Sequence, residues 1–350
     1  MSRLQGAIVG FFPGLDLVGG IQVSGRMACA AVRDWAGDRA KFVCYRGAPA
    51  GIPAIHVRSK VGAAMLAFRR EWNASVVVFW HIGLLKLLPL MRARSAKVVV
   101  FLHGIEAWDR RDIALEHLLL RVDLFLSNSD YTWVRFLSRY PSCRAVPHRT
   151  VHLGLGEPLN GPAPNPEERP TAIMLGRVAR SEGYKGHREV LSAWQRVLKQ
   201  LPKARLWIAG PGDGVAELKR IVDDRALGHS VSLLGQVSEE EKKNLLVRAR
   251  TLVLPSRAEG FGLVYLESMR VGRPCLVGME DAGREVVAPP EGGLAADARD
   301  PESLSDAICR LLTQGPDWEE LSFRTRERYE RVFTERHFAA RLRTAMETCL

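Results

Sequence analysis

Thr251-Leu252-Val253-Leu254-Pro255-Ser256-Arg257-Ala258-Glu259-Gly260-Phe261-Gly262-Leu263-Val264-Tyr265-Leu266-Glu267 moves from an apolar run through a glycine turn into a helical pattern. Thr251 to Leu254 is short and β-branched enough for a buried strand. Leu263 to Val271 has helical character, so the segment reads strand, turn, helix. In an open α/β sheet, ligands bind at the carboxyl ends of the strands. Glycines let the backbone approach a ligand closely, and a helix N-terminus offers free N–H groups to an anion. Glu259 stands before the turn, and Glu267 lies about one helical turn inside the helix. Two fixed acceptors flanking an anion site suit a ligand with a phosphate in the middle and hydroxyls at both ends, as in a nucleotide sugar.

A local reading competes with this one. Glu259 would cap the helix start and Glu267 would be a solvated helix residue. The complete spacing resembles the E-x7-E signature of retaining glycosyltransferases of the GT-B fold, in particular family four. The resemblance implies that Glu259 faces the donor sugar and Glu267 holds the ribose hydroxyls. It also implies that Gly260, Phe261, Gly262 and Leu263 line the donor through the turn backbone.

Two further places in the second half fit the same ligand. Gly176-Arg177-Val178 follows the predicted strand Ala172–Leu175, and Lys185-Gly186-His187 opens the next helix. A cation at each end of a loop suits a departing diphosphate. This resembles the family's G-R…K-G motif, with Arg177 and Lys185 on the diphosphate and Gly176 beside it. Two surface cations on a loop are the local alternative. Gly210 and the stretch Gly235-Gln236-Val237-Ser238 follow later strands, where the backbone around Val237 is placed to read a base edge. Ser238 and Glu241 also form a capping box, a role sufficient for both.

The first half resembles the family in layout. Pro13-Gly14-Leu15-Asp16-Leu17-Val18-Gly19-Gly20 follows the predicted strand Ala7–Phe12 and precedes a helix. It lacks the dinucleotide fingerprint and the Walker lysine. It is either a simple turn or, by resemblance, a loop in which Gly19 and Gly20 close over the donor. His103, at the end of Val98–Leu102, is either a structural histidine or the family's strand-end histidine, which positions the sugar or handles a proton. Glu106 and Asp109 are candidate acceptor contacts.

Predicted strands alternate with helices throughout. Besides those above they are Ala40–Tyr45, Val76–Phe79, Leu124–Ser127, Thr150–Leu153, Leu206–Ala209, Val231–Leu234 and Pro274–Val277. Such alternation implies parallel sheets built from βαβ units. Gly154 to Pro170 holds five prolines and reads as a linker. The expected organisation is α/β, with two doubly wound Rossmann-like domains facing across a cleft. Residues 1–153 would bind acceptor and residues 171–332 would bind donor. A final helix, 333–350, would pack back on the first domain.

The chain has 350 residues, 47% of them hydrophobic and 25% charged, as expected for a globular protein of about two domains. No apolar run reaches the roughly 20 residues of a membrane span, and no signal peptide is read. Six scattered cysteines form no metal or disulfide pattern, which favours a cytoplasmic location. Residues 1–150 contain 21 Lys+Arg and 10 Asp+Glu, whereas the remaining 200 contain 29 of each. The whole excess of +11 therefore lies in the first half and implies an anionic partner. Lys60–Arg70 and Leu84–Arg94 combine apolar residues with terminal cations. Each is either a core helix with basic ends or an interfacial helix on an anionic membrane surface.

The resemblance implies a retaining hexosyltransferase of cell-envelope polysaccharide or glycolipid synthesis. It would take a UDP-sugar or GDP-mannose as donor and a glycan or lipid-linked acceptor, with no resident cofactor. No D-x-D triplet occurs, so no metal requirement is expected. Three rivals are a nucleotide-sugar 2-epimerase of the same architecture, a phosphorylase of that architecture, and a basic protein that binds nucleic acid or another anionic surface. A phosphorylase would need a cofactor-bearing lysine that nothing singles out. No zinc-finger or RNP signature is present, so a nucleic-acid partner is not expected.

Overall fold

The computed structural model describes residues 6–17, 19–48, 51–70, 72–92, 95–109 and 112–349. Val18 of the glycine loop, and Ala93 and Arg94 of the second apolar-basic stretch, lie outside them. The chain divides into two compact units, Met1–Gly154 with Glu335–Leu350, and Leu155–Thr334.

The first unit holds a parallel sheet of β1 (Ala7–Phe12), β2 (Ala40–Tyr45), β3 (Ala54–Val57), β4 (Ala74–Phe79), β5 (Lys97–Leu102), β6 (Leu124–Ser127) and β7 (His148–Thr150). Their order is β3-β2-β1-β4-β5-β6-β7. Strands buried on both faces read as continuous apolar runs, and β1 is buried at every position. Around the sheet lie α1 (Gly20–Ala36), α2 (Lys60–Arg69), α3 (Ile113–Leu119) and α4 (Asp130–Arg139), with a 3-10 segment over Ile82–Leu90. Ser129 caps α4 by accepting from the Thr132 N–H. The core is aromatic: Phe11 stacks on Phe79 and meets Trp72 edge-on.

The second unit holds β8 (Thr171–Leu175), β9 (Arg205–Ala209), β10 (Val231–Gly235), β11 (Thr251–Leu254), β12 (Cys275–Gly278) and β13 (Gly293–Ala296). They form a second parallel sheet in the order β10-β9-β8-β11-β12-β13. Its helices are α5 (His187–Gln200), α6 (Val215–Asp224), α7 (Glu239–Arg248), α8 (Leu263–Arg270), α9 (Gly283–Val287), α10 (Pro301–Leu312) and α11 (Pro316–Val332). On α5 the buried residues Val190, Leu191, Trp194 and Val197 follow the helical repeat. The last helix, α12 (Glu335–Glu347), belongs to the first unit and packs against α1. Both units are therefore Rossmann-like.

Two strands are absent from the sequence reading. β3 and β13 are four-residue edge strands, and β13 reads Gly-Leu-Ala-Ala, with low β-propensity. The strand expected at Thr150–Leu153 lies instead at His148–Thr150. The proline-rich stretch before β8 is fastened to the second unit. Arg270 donates to the Glu157 carbonyl (2.8 Å), the Glu167 N–H donates to the Arg248 carbonyl (3.0 Å), and buried Arg273 donates to the Pro164 carbonyl.

Candidate functional site

In the second sheet the chain runs outward from β8 through β9 to β10, then returns to start β11 on the other side of β8. Ligands of open α/β sheets bind where the strand order reverses in this way. Gly176 and Arg177 follow β8, and the Glu259 turn follows β11, so both emerge beside this switch point. The two loops are joined: the Arg257 N–H donates to the Tyr184 carbonyl at 3.0 Å. Arg257 also pairs with Glu189 of α5 at 3.0 Å.

Glu182 organises the loop after β8. Its carboxylate is nearly buried, pairs with the Lys185 ammonium at 2.9 Å, and accepts a hydrogen bond from Arg177. A buried carboxylate is stable only with such partners. Two cations are thereby held on one anchor, while the Arg177 side chain remains 67% exposed. Gly176 allows the close approach: a Cβ there would lie 3.3 Å from the Lys185 Nζ. Burial and the neighbouring Lys185 lower the His187 imidazole to about 4, so it is neutral in this cationic corner.

The turn after β11 is set by Gly262, the N-cap of α8, at φ +82°. A Cβ at this position would come within 2.5 Å of the Tyr265 ring. α8 has no acidic residue in its first turn, so no side chain of that turn offsets the positive end of the helix. The Phe261 side chain is buried edge-on against Phe333, leaving the backbone as what this residue can offer a ligand. Burial raises the Glu259 carboxyl above its ordinary value, and Lys185 counteracts this. Asp281, after β12, accepts from the Gly283 N–H (2.9 Å) and the Glu259 N–H (3.4 Å). Burial, with Glu259 adding to it, pushes Asp281 up to about 7.

Glu267 lies on α8 and receives a hydrogen bond from the Lys242 ammonium of α7 at 2.6 Å. Lys242 also pairs with Glu239 at 2.8 Å. Burial raises Glu267, and Lys242 opposes that rise. Gly210 follows β9, and its N–H donates to the Gly235 carbonyl at 2.7 Å. Val237 immediately precedes the Ser238 capping box of α7, in which the Glu241 N–H and the Ser238 Oγ lie 3.1 Å apart.

The first-unit residues form their own group. The Trp80 carbonyl lies 2.8 Å from the His103 Nε2. A carbonyl only accepts, so Nε2 carries the proton and Nδ1 is the acceptor. Burial lowers this imidazole to about 3, so it is neutral throughout the physiological range. Glu106 accepts from the His103 N–H (2.7 Å) and the Gly104 N–H (3.1 Å) through one oxygen, fixing the turn after β5. Asp109 is exposed, and its carbonyl accepts from Arg139 at 2.9 Å. Gly19 is the N-cap of α1, and Gly20 is its first residue.

Three residues at these positions escaped the sequence reading as partners: Glu182, Lys242 and Asp281. Glu182 stands three residues before Lys185 in the run Glu182-Gly183-Tyr184-Lys185, and that spacing was the available signal. Lys242 belongs to a Glu-Glu-Glu-Lys-Lys run and carries no distinguishing pattern. Among the described residues, no group of three His, Cys, Asp or Glu side chains is placed to hold a metal ion.

Residues 160–328 match the family described as glycosyl transferases group 1. One relative is a GDP-mannose-dependent monoacylated α-(1-6)-phosphatidylinositol monomannoside mannosyltransferase of Corynebacterium glutamicum. It is 27% identical over 271 residues, covering 71% of this chain and 70% of the relative. The GDP-mannose-dependent α-(1-6)-phosphatidylinositol monomannoside mannosyltransferase of Mycolicibacterium smegmatis is 26% identical, covering 72% and 71%. Among solved structures, Anabaena HepE in complex with UDP and glucose aligns at a TM-score of 0.76, with 14% identity, over 99% of this chain and 100% of that one. Sucrose-phosphate synthase from Thermosynechococcus elongatus aligns at 0.74, with 19% identity, over 98% of both. The fold is thus that of the GT-B proteins. Residues 160–328 thus carry the likeness to glycosyl transferases group 1, and with the mannosyltransferase relatives it marks the protein as a glycosyltransferase.

Proposed function

We propose that the protein is a retaining, family-four glycosyltransferase that moves a hexosyl group from a UDP-sugar or GDP-mannose to a hydroxyl of a glycan or lipid-linked acceptor. One observation carries this reading: the Glu182-anchored pair Arg177 and Lys185 adjoins the Glu259 turn at the switch point of the second sheet. The donor class is supported by the names of the relatives, which specify GDP-mannose, and by the UDP of the HepE complex. A lipid-linked acceptor is supported by the phosphatidylinositol mannoside in those relatives' names.

Arg177, Lys185 and the N-terminal amides of α8 would stabilise the departing diphosphate. Glu267, held by the Lys242 ammonium, would accept hydrogen bonds from the ribose hydroxyls. Glu259 would orient the donor sugar. The sugar C1–phosphate oxygen bond breaks and the C1–acceptor oxygen bond forms on the same face. The acceptor proton passes to the released phosphate oxygen. His103, with Nδ1 as its acceptor, fits sugar positioning, and its neutrality argues against proton delivery. Since two side-chain cations serve the diphosphate, we propose turnover without a metal ion. The basic first half suits peripheral association with an anionic membrane on the cytoplasmic side.

Thermal unfolding with UDP, GDP or ADP in EDTA tests the donor site. A ligand at about 100 times its Kd adds on the order of 2.7 kcal/mol, a shift of a few degrees. UDP or GDP is expected to stabilise the wild type and to lose that effect in Glu267→Ala. No stabilisation by any nucleotide would overturn the reading.

A further inference from the structure

Three of the four large apolar side chains of α2 face away from the core. Its buried residues are the small ones, Ala63 and Ala67. Of its larger ones, Leu66 packs against the core, whereas Val61 is 68% exposed, Met65 42% and Phe68 55%. These three positions are spaced i, i+4, i+7 and form one stripe. An ordinary surface helix places its large apolar stripe inward and its polar residues outward.

The adjoining 3-10 segment shows what a core-facing stretch of similar composition looks like. Ile82, Leu85 and Leu88 are buried there, and Leu90, at its end, is 38% exposed. Next to Leu90, the Arg92 guanidinium lies 5.1 Å above the Phe68 ring and joins the segment to the stripe. Lys60, Arg69 and Arg70 are exposed at the two ends of α2. The surrounding sequence, 51–100, contains eight Lys+Arg and one Asp+Glu.

An apolar stripe bounded by cations is complementary to the interface of a bilayer. The apolar side chains enter the acyl boundary while the cations meet lipid phosphates. A protein partner's apolar patch would not call for the cationic rim. We infer that the outward face of α2, continued by Leu90 and Arg92, is a docking surface for an anionic lipid bilayer. Among the described residues no helix is long and apolar enough to cross a membrane, so the contact is peripheral. The inference goes beyond the donor site and stands independently of it.

The test is co-sedimentation of the full chain with vesicles of phosphatidylcholine alone, or with an equal part of phosphatidylglycerol. The wild type should bind the anionic vesicles and release them at high salt. Val61→Ser/Met65→Ser/Phe68→Ser should lower binding at least tenfold, whereas Phe323→Ser, at an exposed position on α11, should leave it unchanged. If the triple variant unfolds, Arg69→Glu/Arg70→Glu provides the reading, with a loss of about fivefold per cation removed. Equal binding to neutral and anionic vesicles, or full binding by the triple variant, would overturn the assignment. So would a wild-type dimer in light scattering that the triple variant dissociates, since a second copy would then cover the face. Nucleotide stabilisation should persist in the triple variant, which separates this result from any failure of the donor site.

Discussion

The two units differ in charge balance. Around the Glu259 turn of the second unit, carboxylates and cations are matched: Glu182 with Arg177 and Lys185, Glu267 with Lys242, and Glu189 with Arg257. The sequence from residue 151 onward is correspondingly neutral. In the first unit, Glu106 is satisfied by backbone N–H groups, and the excess cations include exposed residues at both ends of α2. Pairing ions before a ligand arrives fixes their geometry, which suits recognition of one small molecule. Exposed charge without counterions produces a field, which suits an extended anionic surface.

The largest effect expected lies at the turn itself. Glu259→Gln should lower sugar transfer about 10²–10³-fold while leaving nucleotide stabilisation intact. Loss of nucleotide binding instead would move Glu259 from the sugar to the fold of the turn. The pairing of Glu267 is tested next. Lys242→Met should weaken UDP or GDP binding about tenfold, and Lys242→Arg should restore most of it. The loss should disappear with a 2′,3′-dideoxynucleotide, because the ribose hydroxyls are then missing. An equal loss with that analogue would assign Lys242 to general stability.

The smallest effect separates the units by pH. Asp281 in the second unit is raised to about 7, so the folded state holds a proton that the unfolded chain has lost. Its contribution to stability therefore falls as pH rises from about 4 to 7. His103 in the first unit is lowered to about 3. Its contribution is fully present above the unfolded value of about 6.5 and is lost as pH falls towards 3. The two slopes oppose each other between about pH 4 and 6.5. Relative to wild type, Asp281→Asn should gain stability as pH rises and His103→Gln should gain it as pH falls, each by on the order of 2 kcal/mol. Denaturant midpoints measured across that range, with flat differences for both variants, would remove both assignments.

Much of this was legible because it is local in the chain. The strand-turn-helix pattern of 251–267, the capping box at Ser238 and the alternation of strands and helices depend on residues a few positions apart. The edge strands β3 and β13 were missed because short strands at an edge bury too little to leave a pattern.

By itself, the sequence determined two parallel α/β units, the glycine turn with its two glutamates, the flanking Arg177 and Lys185, and the concentration of positive charge in the first half. Each of these follows from neighbouring residues or from a sum over residues. Only the tertiary structure decided the partners of those groups. Lys242 meets Glu267 because α7 and α8 pack together, across 25 positions of sequence. It also decided which of two similar apolar-basic stretches faces water. The 3-10 segment at 82–90 turns Ile82, Leu85 and Leu88 inward, whereas α2 seats Ala63, Ala67 and part of Leu66 inward and leaves Val61, Met65 and Phe68 outside. Overall composition does not say which face of a helix is buried; the surface it packs against selects that face.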